Sequence, residues 1–315
     1  MHIKREFKIF RQKFNTPLRT AHGLWDVRET ILLKETYDGR SFSFGEVAPT
    51  PGFNAFTLKD ALKETEIWLL EGDKELYKWI NPAITSLKSS IWKNCASKVK
   101  KVVPASLYFN SGKIPKYCGV IKKKIGLKCP KEEIPEVLSW IKNLPTSMRV
   151  RLDPNQSFDL EKLQVWLDAL EDHERVEFIE QPVPGIPCDE ILNLISMSSV
   201  PIALDEAIVS HGGLRTVKKL GWDGYFVVKP TLLDDWSETI SFIKDYPDKC
   251  IVSTVFESPI GYEAVIRTCL HSNLVPGVDR RVYQGCSTEF KLHHKPVLSI
   301  PSVKNDLLNK LWNNL

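Results

Sequence analysis

The sequence predicts an α/β protein, a (β/α)8-type, TIM-like barrel with an N-terminal α+β capping domain. Three observations predict it. From about Val102 onward short apolar strands alternate with amphipathic helices, and strands separated by crossovers of that length pair in parallel, for which a barrel is the closed solution. Residues 1 to about 101 lack this metre and read as strands followed by helices. The chain of 315 residues is also longer than the roughly 250 residues typical of one such barrel, which leaves room for a second, smaller domain.

In the first part, Ile3 to Phe10, Arg28 to Glu35 and Ser41 to Val47 alternate like strands, the last two separated by the turn residues Asp38-Gly39. Helical patterns follow over Leu58 to Gly72 and Glu75 to Lys88. Between the two halves, Ala48-Pro49-Thr50-Pro51-Gly52 cannot continue a strand. The barrel strands are expected at Ala105 to Asn110, Val120 to Ile125, Arg149 to Asp153, Val176 to Glu180, Ile202 to Asp205, Gly224 to Lys229, Ile251 to Phe256 and Leu274 to Val278. Helices are expected at Glu132 to Leu144, Asp159 to Leu170, Asp189 to Ser198, Leu214 to Leu220, Trp236 to Asp245 and Tyr262 to His271, with an eighth helix poorly defined. The barrel domain is drawn at residues 102–286, and residues 287–315 as a C-terminal segment packing back on the capping domain. An open, doubly wound sheet is the alternative, but it would normally carry a glycine-rich phosphate loop, and neither GxGxxG nor GxxxxGK[ST] occurs.

Composition narrows the function classes. Charged residues make up 26% and hydrophobic residues 43%, as in a globular protein with a sizeable core, and a net charge of +4 is too weak to suggest nucleic acid or membrane binding. The N-terminus MHIKREFKIFRQKF interleaves charge with apolar residues, unlike a signal peptide, and no run of 18 apolar residues suggests membrane insertion, so a cytoplasmic protein is expected. The cysteines, Cys95, Cys118, Cys129, Cys188, Cys250, Cys269 and Cys286, are scattered and odd in number. They are read as reduced and mostly buried.

The informative residues end the strands. Lys122 and Lys124, Asp153, Glu180, Asp205 and Lys229 stand at or near the C-terminal ends of five consecutive strand candidates, and in a barrel those ends converge on one mouth. Three carboxylates gathered within about 4 Å repel by about 1 kcal/mol per pair in water and more when shielded, so they need a cation. Oxygen-only ligands favour a hard divalent ion, Mg²⁺ first. The lysines suit proton chemistry, provided the ordinary lysine pKa of about 10.4 is lowered toward about 7 to 8. For Lys124 that lowering would come from the metal and from Lys122 on the same strand face, whereas Lys123 should point outward.

These residues together resemble the enolase superfamily, in its muconate lactonizing enzyme-like branch. The resemblance rests on Lys122-x-Lys124, Asp153-x-Asn155, Phe178-Ile179-Glu180-Gln181-Pro182, Ala203-Leu204-Asp205-Glu206 and Val228-Lys229-Pro230. Within that branch the sequence is most similar to the o-succinylbenzoate synthase family, through Leu18-Arg19-Thr20-Ala21-His22-Gly23-Leu24-Trp25, Arg28-Glu29, Gly45-Glu46-Val47-Ala48-Pro49 and Arg151-Leu152-Asp153-Pro154-Asn155. The resemblance implies that Asp153, Glu180 and Asp205 hold Mg²⁺ (Mn²⁺ as a substitute), that Lys124 abstracts a proton beside a carboxylate, and that Lys229 faces it as a cation. It also implies a small-molecule substrate of the menaquinone or phylloquinone pathway. An N-acylamino acid racemase, or another epimerase or cycloisomerase of the same superfamily, is the alternative.

Supporting positions follow from the same likeness. Arg151 would position a carboxylate or else form a salt bridge inside the barrel. Asn155 and Glu206 would orient a metal ligand or a lysine. Thr20, His22 and Trp25 would belong to a lid or to an ordinary surface loop, and Glu257 and Ser258 would meet the substrate tail. The segment Leu274 to Arg281 departs from the family pattern, Asp279 stands alone without the Asp-x-Asp of dipeptide epimerases, and His293-His294 is read as surface.

Overall fold

The structure, a computed structural model, describes residues 2–20, 23–53, 56–74, 77–92, 101–104, 107–109, 119–278, 297–301 and 303–315. Cys95, Cys118, Cys286, His22, Asp279, His293 and His294 lie outside the described residues, so the readings made for them are not addressed by it.

The capping domain is a three-stranded antiparallel sheet, β1 (Ile3–Thr20), β2 (Gly23–Tyr37) and β3 (Ser41–Val47), carrying α1 (Leu58–Glu71) and α2 (Asn81–Lys88). Both β1 and β2 run well beyond the expected strands, because they continue as a two-stranded arm whose register shifts between Lys13 and Leu18. Helix α1 starts at Thr57, which exchanges hydrogen bonds with Asp60 in a capping box. Helix α2 begins six residues later than expected. The amides of Lys78, Trp79 and Ile80 are taken up by the Glu64 carboxylate, and Pro82, which has no N–H to satisfy, sits in the first turn. Strand β3 approaches α2 closely at Gly45, where a Cβ would overlap the Ala83 carbonyl.

Beyond β4 (Lys101–Pro104), the metre holds: β5 (Leu107–Phe109), β6 (Val120–Lys124), α3 (Pro130–Lys142), β7 (Arg149–Asp153), α4 (Leu160–Leu170), β8 (Val176–Glu180), α5 (Asp189–Ser196), β9 (Ile202–Leu204), α6 (Glu206–Ser210), α7 (Leu214–Lys219), β10 (Tyr225–Val228), α8 (Trp236–Asp245), β11 (Cys250–Val252) and α9 (Pro259–Thr268). Strands β5 to β11 pair in parallel in strict chain order. A doubly wound sheet would reverse that order at a switch point, so the open-sheet alternative is excluded. Leu274 to Val278, expected as the eighth strand, contributes a single bridge from Gly277 to Ser253. Among the described residues the sheet is therefore a half-barrel with a first foothold of closure beyond β11.

Two apolar layers fix where the strand ends lie. Leu152, Ile179, Leu204, Val228 and Val252 point outward to the helices and join Leu163, Trp166, Leu167 and Ile243 in the main core, while Phe178, Ala203, Val227 and Ile251 fill the inside. Inward residues therefore alternate along each strand, and the inward position beyond this inner layer is the rim. The C-terminal residues return to the cap. Strand β12 (Val297–Ile300) pairs with β4, and an unanticipated helix α10 (Asn305–Asn314) sets Trp312 against Phe44, with Lys8 donating to the Trp312 carbonyl at 2.7 Å.

Of the cysteines described, Cys250 and Cys269 are buried, but Cys129 and Cys188 are exposed, against expectation. Both stand at helix N-cap positions, outside the packed faces. No described helix is long and apolar enough to cross a membrane.

Candidate active site

Five strands bring their polar ends to one rim. On β6, Lys122 and Lys124 share the inward face, and Lys123 turns outward with its ammonium 5.1 Å from the Trp140 ring centre. On β7 the inward residues are Arg151 and Asp153, on β8 Glu180. Asp205 and Lys229 directly follow β9 and β10. The three carboxylates are nearly buried, at 6%, 3% and 4% exposure, so their charges must be met within the protein.

Two ammonium groups meet them. Lys122 Nζ lies 2.7 Å from Asp153 Oδ2 and 2.7 Å from Glu180 Oε1, and Lys229 Nζ contacts Asp205 Oδ2. Burial opposes the charge on Lys122, but Asp153, Glu180 and Asp205 together outweigh it and hold its ammonium well above the ordinary lysine range. Burial, with the charges of Asp153 and Asp205, pushes Glu180 up to about 7 against the pull of Lys122. Asp205 is likewise raised, by burial first and then by Glu206, while Lys229 pulls it down. Burial also opposes the charge of Asp153, but Lys122 and the Asn155 amide hold its carboxyl below the ordinary aspartate range.

The trio fits a hard divalent cation in its chemistry. All its donors are carboxylate oxygens on neighbouring strand ends, and Asp205 Oδ1 is buried without a hydrogen-bond partner. The spacing is that of lysine-bridged carboxylates. Among the described residues no group of three His, Cys, Asp or Glu side chains stands at metal-binding distance, so the three are not drawn to one point.

Asn155 ties the site together. Its Oδ1 accepts from Lys124 Nζ at 3.1 Å, while its own amide groups donate to Asp153 Oδ1 at 2.9 and 3.0 Å. It adopts φ +50°, in the left-handed region that Asn tolerates better than most residues. The Lys229 ammonium lies 3.9 Å from the centre of the Phe53 ring, which the cap places over β10. Glu206 opens α6 with Oε2 buried and unpartnered, and burial raises its carboxyl pKa.

Sequence reasoning overlooked the role of Gln181. Its Oε1 accepts from the Asp205 and Ala207 amides, and its Nε2 donates to the Val183 and Gly185 carbonyls, so it fixes the end of β9 relative to that of β8. The signal was its place directly after Glu180, since a buried primary amide has four hydrogen-bonding positions to fill.

One expectation needs correction, that Glu257 and Ser258 meet a substrate tail, and for Arg151 the geometry bears on the choice between two readings. Arg151 lies one inward step below Asp153, where Nε meets Glu177 Oε2 at 2.5 Å and Nη2 meets the Val275 carbonyl at 2.7 Å. At 2% exposure it forms the salt bridge inside the barrel, the second of its two expected roles. Glu257 and Ser258 are fully buried and do not face a substrate tail. Glu257 accepts from Thr231 Oγ1, Thr254 Oγ1 and the Val255 amide, and Ser258 caps α9 and donates to Glu46. Of the proposed lid, Thr20 ends β1, and Trp25, half-buried on β2, packs edge-on against Phe14 and Phe256.

Comparison with known proteins agrees with this architecture. Residues 113–239 match the family described as "Enolase C-terminal domain-like". The o-succinylbenzoate synthase of Thermosynechococcus vestitus is 25% identical over 279 residues, covering 82% of this chain and 86% of that protein. Chloromuconate cycloisomerase CbnB of Cupriavidus necator is 32% identical over 89 residues, 28% of this chain and 24% of that one. The crystal structure of o-succinylbenzoate synthase from Thermosynechococcus elongatus BP-1, complexed with Mg in its active site, superposes with a TM-score of 0.78 at 22% identity, covering 99% of this chain and 100% of that one, a likeness of fold. The ordered strands, the polar rim they assemble and these comparisons show that residues 113–239 form an enolase C-terminal-like domain, in a chain that is similar over four-fifths of its length to an o-succinylbenzoate synthase and shares that enzyme's fold.

Proposed function

We propose that the chain is an o-succinylbenzoate synthase, a cytoplasmic hydro-lyase of menaquinone or phylloquinone synthesis. It would convert 2-succinyl-6-hydroxy-2,4-cyclohexadiene-1-carboxylate to 2-succinylbenzoate and water. The observation that carries this reading is the placement of Lys124 and Lys229 on β6 and just after β10, with the three carboxylate-bearing strands between them in the sheet. The similarity to synthases over four-fifths of the chain supports the choice of substrate.

Asp153, Glu180 and Asp205 would hold Mg²⁺, or Mn²⁺ in its place, and the bound ion would supply Lewis-acid stabilisation of charge developing on the substrate carboxylate. Lys124 Nζ removes the proton on the carbon bearing that carboxylate. Asn155 Oδ1 aims the amine by accepting one of its hydrogens, so the lone pair is directed rather than free to rotate. Lys229, backed by Phe53, donates to the carboxylate as its oxygens gain charge. Lys124, now an ammonium, returns its proton to the departing hydroxyl. One C–H and one C–O bond break, water leaves, and the ring becomes aromatic. Lys122, pinned between Asp153 and Glu180 as an ammonium, neutralises the site and is no base.

The test is incubation of the purified protein with the cyclohexadiene substrate, with and without Mg²⁺, followed by the ultraviolet change of aromatisation. Metal-dependent product is expected. A second reading is favoured by the same pair of lysines, which could abstract and return a proton from opposite sides of an N-acylamino acid. Deuterium exchange into N-succinyl amino acids, without aromatisation of the cyclohexadiene, would replace the first reading with the second.

A further inference from the structure

The turn that follows β11 is held from the cap by one guanidinium and one carboxyl group, both buried. At its centre Phe256 has φ +63°, a left-handed conformation unfavourable for a residue with a side chain, which therefore needs outside support. Arg28 on β2 provides part of it. Its Nε donates to the Phe256 carbonyl at 3.0 Å, its other nitrogens reach the Pro49 carbonyl and Thr50 Oγ1, and the guanidinium lies 5.0 Å from the centre of the Trp25 ring.

Two residues on, Glu46 on β3 takes the Ser258 amide on both carboxylate oxygens, at 2.9 and 3.1 Å, and the Ser258 hydroxyl at 2.6 Å. A Cβ at Gly261 would overlap that carboxylate, so the first turn of α9 is shaped to admit it. On the barrel side, Glu257 links the same turn to Thr231, two residues beyond Lys229. The Phe256 ring closes the arrangement by packing edge-on against Phe14 and Trp25, at 5.7 and 6.0 Å between centres. An interface needing adhesion alone could use apolar side chains, because burying a guanidinium and a carboxyl group carries a desolvation penalty that apolar side chains avoid. Two buried polar side chains, each with several hydrogen bonds to one turn, specify its shape.

We propose that Arg28 and Glu46 are positioning residues, which lock the Thr254–Ser258 turn to the start of β2 so that Trp25 and Phe256 form one rigid wall at the barrel mouth and set how tightly substrate is held. The prediction for catalysis rests on the synthase reading. The prediction for the coupled motion does not.

Arg28→Lys and Glu46→Gln test it by amide hydrogen exchange and steady-state kinetics. Exchange is expected to rise about tenfold or more in both 23–28 and 254–258, leaving β7 to β9 unchanged. In the proposed reaction KM should rise about tenfold while kcat stays within about threefold, the signature of lost binding rather than lost chemistry. If either variant fails to fold, Trp25→Leu, which leaves the hydrogen bonds of Arg28 and Glu46 in place, reads the same two segments. Loosening of one segment alone, loosening spread through the barrel, or an unchanged KM with both segments loosened would each overturn the proposal. Wild-type protein inactive on the cyclohexadiene would overturn the synthase reading and leave exchange to decide this one.

Discussion

Strands β6 to β10 and the turn after β11 carry similar polar residues at the same end of the same sheet, and they use them in opposite ways. In the first region Lys122 pairs with Asp153 and Glu180, Lys229 with Asp205, and Lys124 donates to Asn155, all across the rim. In the second, Glu257 and Ser258 turn from the mouth and are consumed by Thr231, Thr254 and Glu46. A polar residue at a strand end thus has two meanings. On the inward parity of the strand or directly after it, it joins the shared rim, whereas in the turn beyond it is anchorage. Function and stability should therefore separate between the two regions.

The largest expected effect lies in the first. Lys124→Ala should lower turnover of the cyclohexadiene by about 10²- to 10⁴-fold, the range of a lost general base, with circular dichroism and the melting curve unchanged. A variant retaining wild-type rate would remove Lys124 from its role. Next, Glu180→Gln should weaken Mg²⁺ binding, read by calorimetry on the unliganded protein, by about a hundredfold or more, because one hard ligand loses its charge. Asn155→Ala should cost about 10- to 100-fold in kcat as the Lys124 amine loses its orientation, with metal affinity less affected than in Glu180→Gln.

The second region should respond in stability. Glu257→Ala leaves Thr231 Oγ1 and the Val255 amide buried without an acceptor, a loss of about 3 kcal/mol in a urea titration. Its effect on Mg²⁺ affinity should be slight. Loss of metal binding without loss of stability would mean that Glu257 belongs to the rim after all.

What was legible in the sequence follows the same division. Alternation fixes which residues of a strand point inward, so Lys122 and Lys124 could be separated from Lys123, and Asp153 and Glu180 placed on the rim. Parity does not give depth. Arg151 shares the face of Asp153 and lies one layer lower, where Glu177 meets it across an irregular register between β7 and β8. Beyond a strand end parity also lapses, and the partner that decides the matter for Ser258, Glu46, is 212 positions away in sequence. The long β1–β2 arm escaped notice because its outer half gains its burial from Phe256, not from its own sheet. Helix α10 was missed because its burial lies on the cap, through Trp312 against Phe44.

The smallest expected effect probes the start of β11, at the end remote from the turn. Burial pushes the Cys250 thiol up to about 12 from the ordinary 9.0. Between those values the unfolded chain releases this proton and the folded protein keeps it. The folded state then binds more protons, so the contribution of Cys250 is intact below about pH 9 and falls as pH rises, by at most about 1.4 kcal/mol per pH unit. Tyr37, also raised to about 12, titrates with the same sign, and the comparison must remove it. Urea midpoints of wild type and Cys250→Ala at pH 8 and pH 10.5 do so, because Tyr37 is common to both. Cys250→Ala should be the less stable at pH 8 through its lost packing, and the gap should narrow at pH 10.5. A gap constant with pH would mean that water reaches this thiol and that the strand behind the buried turn is less sealed than its packing shows.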